Sequence, residues 1–478
     1  MERRSFVKLG CMATANFAAT KLILGQMRQQ PQTQPTGRPK ANFTLQIGSV
    51  MVEYRLNQAV STTGYNGSSP GPLIRMREGV PVSVDVINDT DIPELVHWHG
   101  LLIPSEVDGA EEEETPMVLP HGRRRYQFVP RPSGIRWYHT HAMAGADLHR
   151  GAYTGQFGFI YVEPANEPGR YDQEVFLALR DWEPYFTDQD QDQEDQDPNP
   201  IQSDEPQTPD TRPNGVEIGY RIFTINDKSL GSGDPIRVRA GQRVLFHVLN
   251  ASATSNHRIA MAGHRFRVIA LDGNAVPSPQ FTDVIAMGPG ERVSASVEMN
   301  EPGIWILGAT NDDHRNAGMG IVIEYANQNT SAQWVSPQKR TWDYTIFGTA
   351  ATQPVPAQTI SLVIEKIPGG PGQFNHWLIN GKEYPHEREF LLQKGLRYRL
   401  VFWNRTDDVH PVHMHRHLFE LVEINGKATG GILKDTVMVP NYGRVAVDLV
   451  ADQPGLTLFH CHNQMHMDFG FKALFRYT

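Results

Sequence analysis

Three stretches of this chain repeat one strand pattern at domain-length spacing, and that repeat limits the fold more than any other feature. Gly79–Asn88 (GVPVSVDVIN), Gly241–Asn250 (GQRVLFHVLN) and Gly395–Asn404 (GLRYRLVFWN) each run from a turn glycine through a strand to an asparagine. The glycines lie 162 and 154 residues apart, a period too long for a solenoid and suited to a repeated domain. Period-two alternation marks each stretch as a strand with one buried face. Turn signals precede each one: Asn66-Gly67 and Pro70-Gly71-Pro72, then Asn226-Asp227, then Asn380-Gly381. A chain of 478 residues is too long for one core and suits about three domains. Helix-forming runs are scarce, so the expected fold class is all-β. Three Greek-key sandwiches or barrels of roughly 7–9 strands are expected, at about 41–165, 166–326 and 340–478.

The ends and the charge narrow the function. A formal charge of -9 argues against a nucleic-acid partner, which would present a basic face. Nothing after the N-terminus approaches the length of a membrane span. The N-terminus reads Glu2-Arg3-Arg4-Ser5-Phe6-Val7-Lys8 before a mildly apolar stretch, the pattern of a twin-arginine export signal. Residues 1–40 are therefore read as a signal and flexible leader, the export machinery as a partner, and the protein as periplasmic or secreted. The acidic, Gln- and Pro-rich stretch at about 187–213 reads as a solvated loop with no ion site. Of the two cysteines, Cys11 lies in the signal and leaves Cys461 alone. One thiol makes no internal disulfide, so it is buried and inert, a ligand or a nucleophile.

Four histidine-rich motifs decide among these. They are His97-Trp98-His99-Gly100, Trp137-Tyr138-His139-Thr140-His141, His410-Pro411-Val412-His413-Met414-His415, and His460-Cys461-His462 with His466. All fall in the first and last domains. On a strand, alternate side chains share a face, so both imidazoles of a His-x-His pair lean towards one volume. Imidazole suits Cu, Zn, Fe or Ni, and the cysteine discriminates: with His410 and His466 it gives a His2Cys set, the blue-copper arrangement. Structural zinc would more often use two or more cysteines. Cys461 is also joined through the backbone to His460 and His462, so one strand connects the blue-copper set to the other histidines.

These motifs, in this order, resemble the copper signatures of the three-domain multicopper oxidase family. The resemblance runs from about Asn42 to the C-terminus and includes Asp272-Gly273 and Pro289-Gly290-Glu291-Arg292. It implies cupredoxin-like domains and four copper ions. His410, Cys461 and His466 would hold a type 1 copper, and His97 and His413 a type 2 copper. His99, His139, His141, His415, His460 and His462 would hold a type 3 pair, the cluster forming between the first and last domains. Asp108 matches a family acid beside the cluster that orients water and helps deliver protons. The family's axial methionine is replaced by Phe471, which provides no ligand, and an acid that some relatives carry before the last type 1 histidine is Met465 here. His417 is read as a neighbour of the ligands. His121, His149, His257, His264, His314, His376 and His386 carry no motif and are read as ordinary polar residues. The function expected is laccase-type, with phenols or aromatic amines oxidised at type 1 copper and O2 reduced to water. Oxidation of Cu(I) or Mn(II) is the alternative enzyme reading, and copper sequestration or electron carriage the non-enzymatic one.

Overall fold

The structure, a computed structural model, describes residues 40–164, 171–188, 215–339, 341–350, 354–385 and 389–478. The expected signal and the acidic loop beyond Asp188 lie outside these residues. The body, Ala41–Thr478, forms one compact unit.

Thirty strands and a few one-turn helices are present among the described residues. They build six sheets that fall in three consecutive pairs, of four and four, six and five, and six and five strands. The repeated strand lies in the first sheet of every pair and has the same parallel neighbour in each. Ile47 pairs with Asn88, Leu179 with Asn250, and Ile364 with Asn404. Parallel neighbours require a crossover from one sheet to the other, which the Greek-key connection provides.

The repeated asparagine has a structural cause. Asn88 Nδ2 donates to Ile92 O and Val118 O while Oδ1 accepts from Thr90 N. Asn250 does the same for Ser255 O, Met287 O and Ser252 N, and Asn404 for Asp408 O, Pro440 O and Thr406 N. One buried amide thus ties together three backbone groups around the end of each repeated strand.

Within a pair, the inward faces pack together. In the first, Leu45, Ile47, Val84 and Val86 meet Ile74, Met76, Ile160 and Val162. The second and third pairs share a continuous core. Side-chain contacts also join the two ends of the body. Glu113 Oε1 accepts from Leu458 N at 2.6 Å, and Asp468 Oδ2 accepts from Ala144 N at 2.9 Å and Gly145 N at 2.8 Å. Among the described residues no helix is long and apolar enough to cross a membrane.

Candidate metal centre

All four His-x-His pairs straddle the end of a strand. His97 ends Val96–His97, His139 lies in Gly134–Thr140, His413 in His410–Met414 and His460 in Leu456–Cys461. His99, His141, His415 and His462 lie just beyond those ends. The expectation of two imidazoles on one regular strand face is therefore modified: the backbone turns between the members of each pair, and they can face different neighbours.

The eleven expected ligands are all buried and gather into groups whose ligand atoms lie within 4.8 Å of one another. The groups are His97/His99/His413, His99/His139/His462, His141/His415/His460 and His410/Cys461/His466. Residues from the two ends interleave: His99 stacks on His413 at 3.8 Å between ring centroids, and His97 on His415 at 4.0 Å. Nε2 of His460 lies 3.1 Å from that of His415 and 3.4 Å from that of His141.

The outer ring atoms set the tautomers. Nδ1–H donates to a carbonyl in His97 (Asp108 O, 3.0 Å), His139 (Thr140 O, 2.8 Å), His413 (Asp435 O, 2.7 Å) and His460 (Cys461 O, 2.7 Å). A carbonyl only accepts, so Nδ1 carries the proton and Nε2 keeps its lone pair. His99 is reversed, with Nε2 held by Asp435 Oδ1 at 3.0 Å. The inner atoms His97 Nε2, His99 Nδ1, His139 Nε2, His413 Nε2 and His462 Nε2 are buried with no hydrogen-bond partner. Converging lone pairs on neutral imidazoles are what a metal cation requires.

Burial, reinforced by neighbouring imidazoles, holds His99, His139, His141, His413, His415 and His462 well below the ordinary histidine range. His460 is pushed down to about 3, mainly by burial. These seven imidazoles therefore stay unprotonated and ready to ligate at neutral pH.

The His2Cys set lies on the other side of the same strand. Cys461 Sγ is 3.5 Å from His466 Nδ1 and 3.8 Å from His410 Nδ1, and those two nitrogens are 3.1 Å apart. Thr406 Oγ1 fixes His410 Nε2 at 2.8 Å, and Trp377 stacks on His466 at 4.0 Å. Burial pushes His410 down to about 4 and the Cys461 thiol up, so a bound cation would be needed to hold the thiolate.

Comparison with known proteins decides the family. Multicopper oxidase family models match residues 46–167, 173–331 and 357–478. Multicopper oxidase MmcO of Mycobacterium tuberculosis (strain ATCC 25618 / H37Rv) is 30% identical over 437 residues, covering 87% of this chain and 83% of the relative. The chain belongs to the multicopper oxidase family. A multi-copper oxidase from Pseudomonas Thermotolerans superposes with a TM-score of 0.68 at 26% identity, over 92% of this chain and all of that one. Fet3p, described as functioning in iron import, superposes at 0.74 and 17% identity, over 91% and 90% of the two chains. This multicopper oxidase is thus a copper oxidoreductase that uses O2, built from three cupredoxin-like domains.

The oxidase surrounds these histidines with charged groups from outside the histidine motifs. Asp435 Oδ1 reaches His99 at 3.0 Å while its two oxygens accept from Arg292 Nη1 and Nη2 at 2.6 Å each. Lys434 bridges Asp272 at 2.9 Å and Glu291 at 3.0 Å, so this charge network is buried and paired. Asp272, Glu291 and Arg292 fall in the second-domain stretch noted above, whereas no local signal singled out Asp435.

Asp108 is more than a turn residue. It is fully buried, and its Oδ2 lies 3.0 Å from His97 Nδ1 and 2.8 Å from His415 Nδ1, touching one histidine from each end of the chain. Gly109 (φ +104) makes this possible: a Cβ there would lie 1.9 Å from Val96 O. Beside Asp108 sits Glu113, whose carboxyl is held well above its usual range by burial and by Asp108. Phe471 is buried with its ring 5.0 Å from that of His410. His417 has both nitrogens engaged, Nδ1 with His415 O at 2.9 Å and Nε2 with Tyr477 Oη at 2.5 Å.

Proposed function

We propose that this oxidase is of the laccase type, taking electrons from phenols or aromatic amines and reducing O2 to water. The supporting observation is an aromatic surface at the end of the short helix that carries His466, since Phe469 caps Gln464–Asp468. Half-buried Phe374 and Phe469 stack at 4.3 Å, and exposed Phe186 meets Phe374 edge-on at 5.6 Å. A planar phenol can stack there without a deep pocket. The acids preceding His410 are unsuited to attracting a metal ion, because Lys366 pairs with Asp407 at 2.5 Å and Asp408 at 3.1 Å.

In this reading the protein holds four copper ions. His410, Cys461 and His466 hold type 1 copper, His97 and His413 hold type 2, and the groups His99/His139/His462 and His141/His415/His460 hold the type 3 pair. Bound copper would supply one-electron acceptance at the first set and the electrons for O2 reduction at the others. The chain itself provides the connection, since Cys461 is bonded directly to His460 and His462. Burial of the eight-histidine cluster keeps bulk water out. Asp108 orients His97 and His415 and passes protons towards the cluster from its unpartnered Oδ1. Arg3-Arg4 supports export by the twin-arginine route to the periplasm or exterior.

Two predictions test the residue roles. Asp108→Asn is expected to lower O2 uptake about 10–100-fold, the usual effect of removing such a supporting group, with the blue absorption unchanged. Undiminished uptake would remove Asp108 from the mechanism. Phe471→Met is expected to lower the type 1 potential, because a fourth donor of any kind adds electron density that stabilises the oxidised ion relative to a site where phenylalanine provides nothing. An unchanged redox titration would show that position 471 is not axial.

The function itself is tested by O2 uptake of the copper-loaded protein with a phenol, with Cu(I) and with Mn(II), monitoring peroxide. Uptake with the phenol and no peroxide is expected. Uptake with a metal ion alone would make the protein a metal-ion oxidase.

A further inference from the structure

The second domain repeats the blue-copper frame of the third, residue for residue, with the cysteine missing. The strand His257–Met261 corresponds to His410–Met414: His257 pairs with Met287 as His410 pairs with Val439. Two residues on, Ile259 pairs with Ala309 as Val412 pairs with Cys461. Ala309 therefore occupies the place of the thiolate.

The rest of the frame follows. Asn311 caps the helix Asp312–Asn316 by accepting from Asp313 N and His314 N, as Asn463 caps Gln464–Asp468 by accepting from Met465 N and His466 N. His314 stands five residues after Ala309, as His466 stands five after Cys461. Met319 N donates to His314 O at 2.9 Å and Ala309 N to Met319 O at 3.0 Å. Phe471 N donates to His466 O at 3.0 Å and Cys461 N to Phe471 O at 3.2 Å in the same way. Met319, fully buried, thus stands in the axial register that Phe471 fills in the third domain.

The groups supporting the histidines are preserved as well. Ser252 Oγ meets His257 Nε2 at 2.9 Å as Thr406 Oγ1 meets His410 Nε2 at 2.8 Å. Phe223 stacks on His314 at 4.2 Å as Trp377 stacks on His466 at 4.0 Å. The two imidazoles cross at 75° with centroids 6.0 Å apart, against 66° and 5.0 Å in the third domain. Asp181 also lies with Oδ1 2.9 Å from His257 Nε2. A carboxylate on the outer nitrogen orients the ring and raises the basicity of the inner one, as behind metal-ligating histidines generally. That inner atom, Nδ1 of a histidine only 2% exposed, has no hydrogen-bond partner. His314 is half-buried, so an ion can reach the position from solvent.

We propose that His257 and His314, with Met319 in axial register, form a further metal position in the second domain, a cysteine-free counterpart of the His410/Cys461/His466 set that takes Cu(I). Two imidazoles and a thioether supply no anionic ligand atom and are soft enough for the monovalent ion, whereas Cu(II) at such a position would lack the thiolate. The proposal rests on reading His410, Cys461 and His466 as the blue-copper site. The blue absorption of the unmodified protein tests that reading separately.

The full-length protein is loaded anaerobically with Cu(I), dialysed against a chelator of moderate affinity, and assayed for copper per chain. His314→Ala is expected to retain one copper fewer than the unmodified protein, with the same blue absorption after reoxidation. Ala309→Cys, which adds a single sulfur to an intact frame, is expected to about double the blue absorption per chain. The double variant Ala309→Cys/His314→Ala is expected to return to the single band. Equal copper in His314→Ala and the unmodified protein, or an Ala309→Cys protein no bluer than its parent, overturns the proposal. A parent protein with no blue band would instead refute the reading of the third-domain site.

Discussion

Cys461→Ser is expected to abolish the blue absorption and cut oxidation of organic reductants by about a thousandfold or more, equal to about 4 kcal/mol of barrier. The thiol is fully buried, and its sulfur lies within 4 Å of both His410 and His466. A serine hydroxyl fits the space and leaves the strand paired, but it does not become a soft anionic donor. Because Cys461 N still donates to Phe471 O and the backbone continues unaltered, His460 and His462 keep their positions. On the proposed four-copper reading, the variant should therefore lose one copper and retain three. Absorption spectroscopy, copper per chain and O2 uptake check this together. A Cys461→Ser protein that remained blue would refute the ligand assignment.

Asp435→Ala is expected to be the most damaging substitution outside the ligands, destabilising the copper-free protein by about 3–5 kcal/mol. Asp435 and Arg292 are both fully buried and share two hydrogen bonds of 2.6 Å. Removing the carboxylate leaves a guanidinium in the interior with Asp272 at 3.8 Å as its remaining acidic contact. The same change takes the carboxylate from His99 Nε2 and leaves it only Thr436 Oγ1 at 3.2 Å, so copper affinity at the cluster should also fall about 10–100-fold. Asp435→Asn, which keeps the shape and loses the charge, should fall between the alanine variant and the parent. Denaturant unfolding of the copper-free proteins measures the first effect and competition with a chelator the second. A stability loss under about 1 kcal/mol in Asp435→Ala would mean that Arg292 finds solvent or another partner, and the account of the buried network would fail.

The repeat, the all-β fold and the histidines that converge are legible in the sequence, because each is written in short-range spacing. A strand alternates every two residues, an asparagine closes the repeated strand, and a His-x-His pair lies within three residues. Distant partners leave no such trace. Asp435 and Arg292 are 143 residues apart and Glu113 and Leu458 are 345 apart, so nothing in their immediate surroundings marks them as neighbours. His257 and His314 show the same limit within one domain. Without a cysteine beside them they read as ordinary polar residues, and only strand register and cap hydrogen bonds place them where His410 and His466 stand in the third domain. The tertiary structure also decided which nitrogen of each imidazole faces inward, because that depends on whether a carbonyl, a hydroxyl or a carboxylate packs behind the ring.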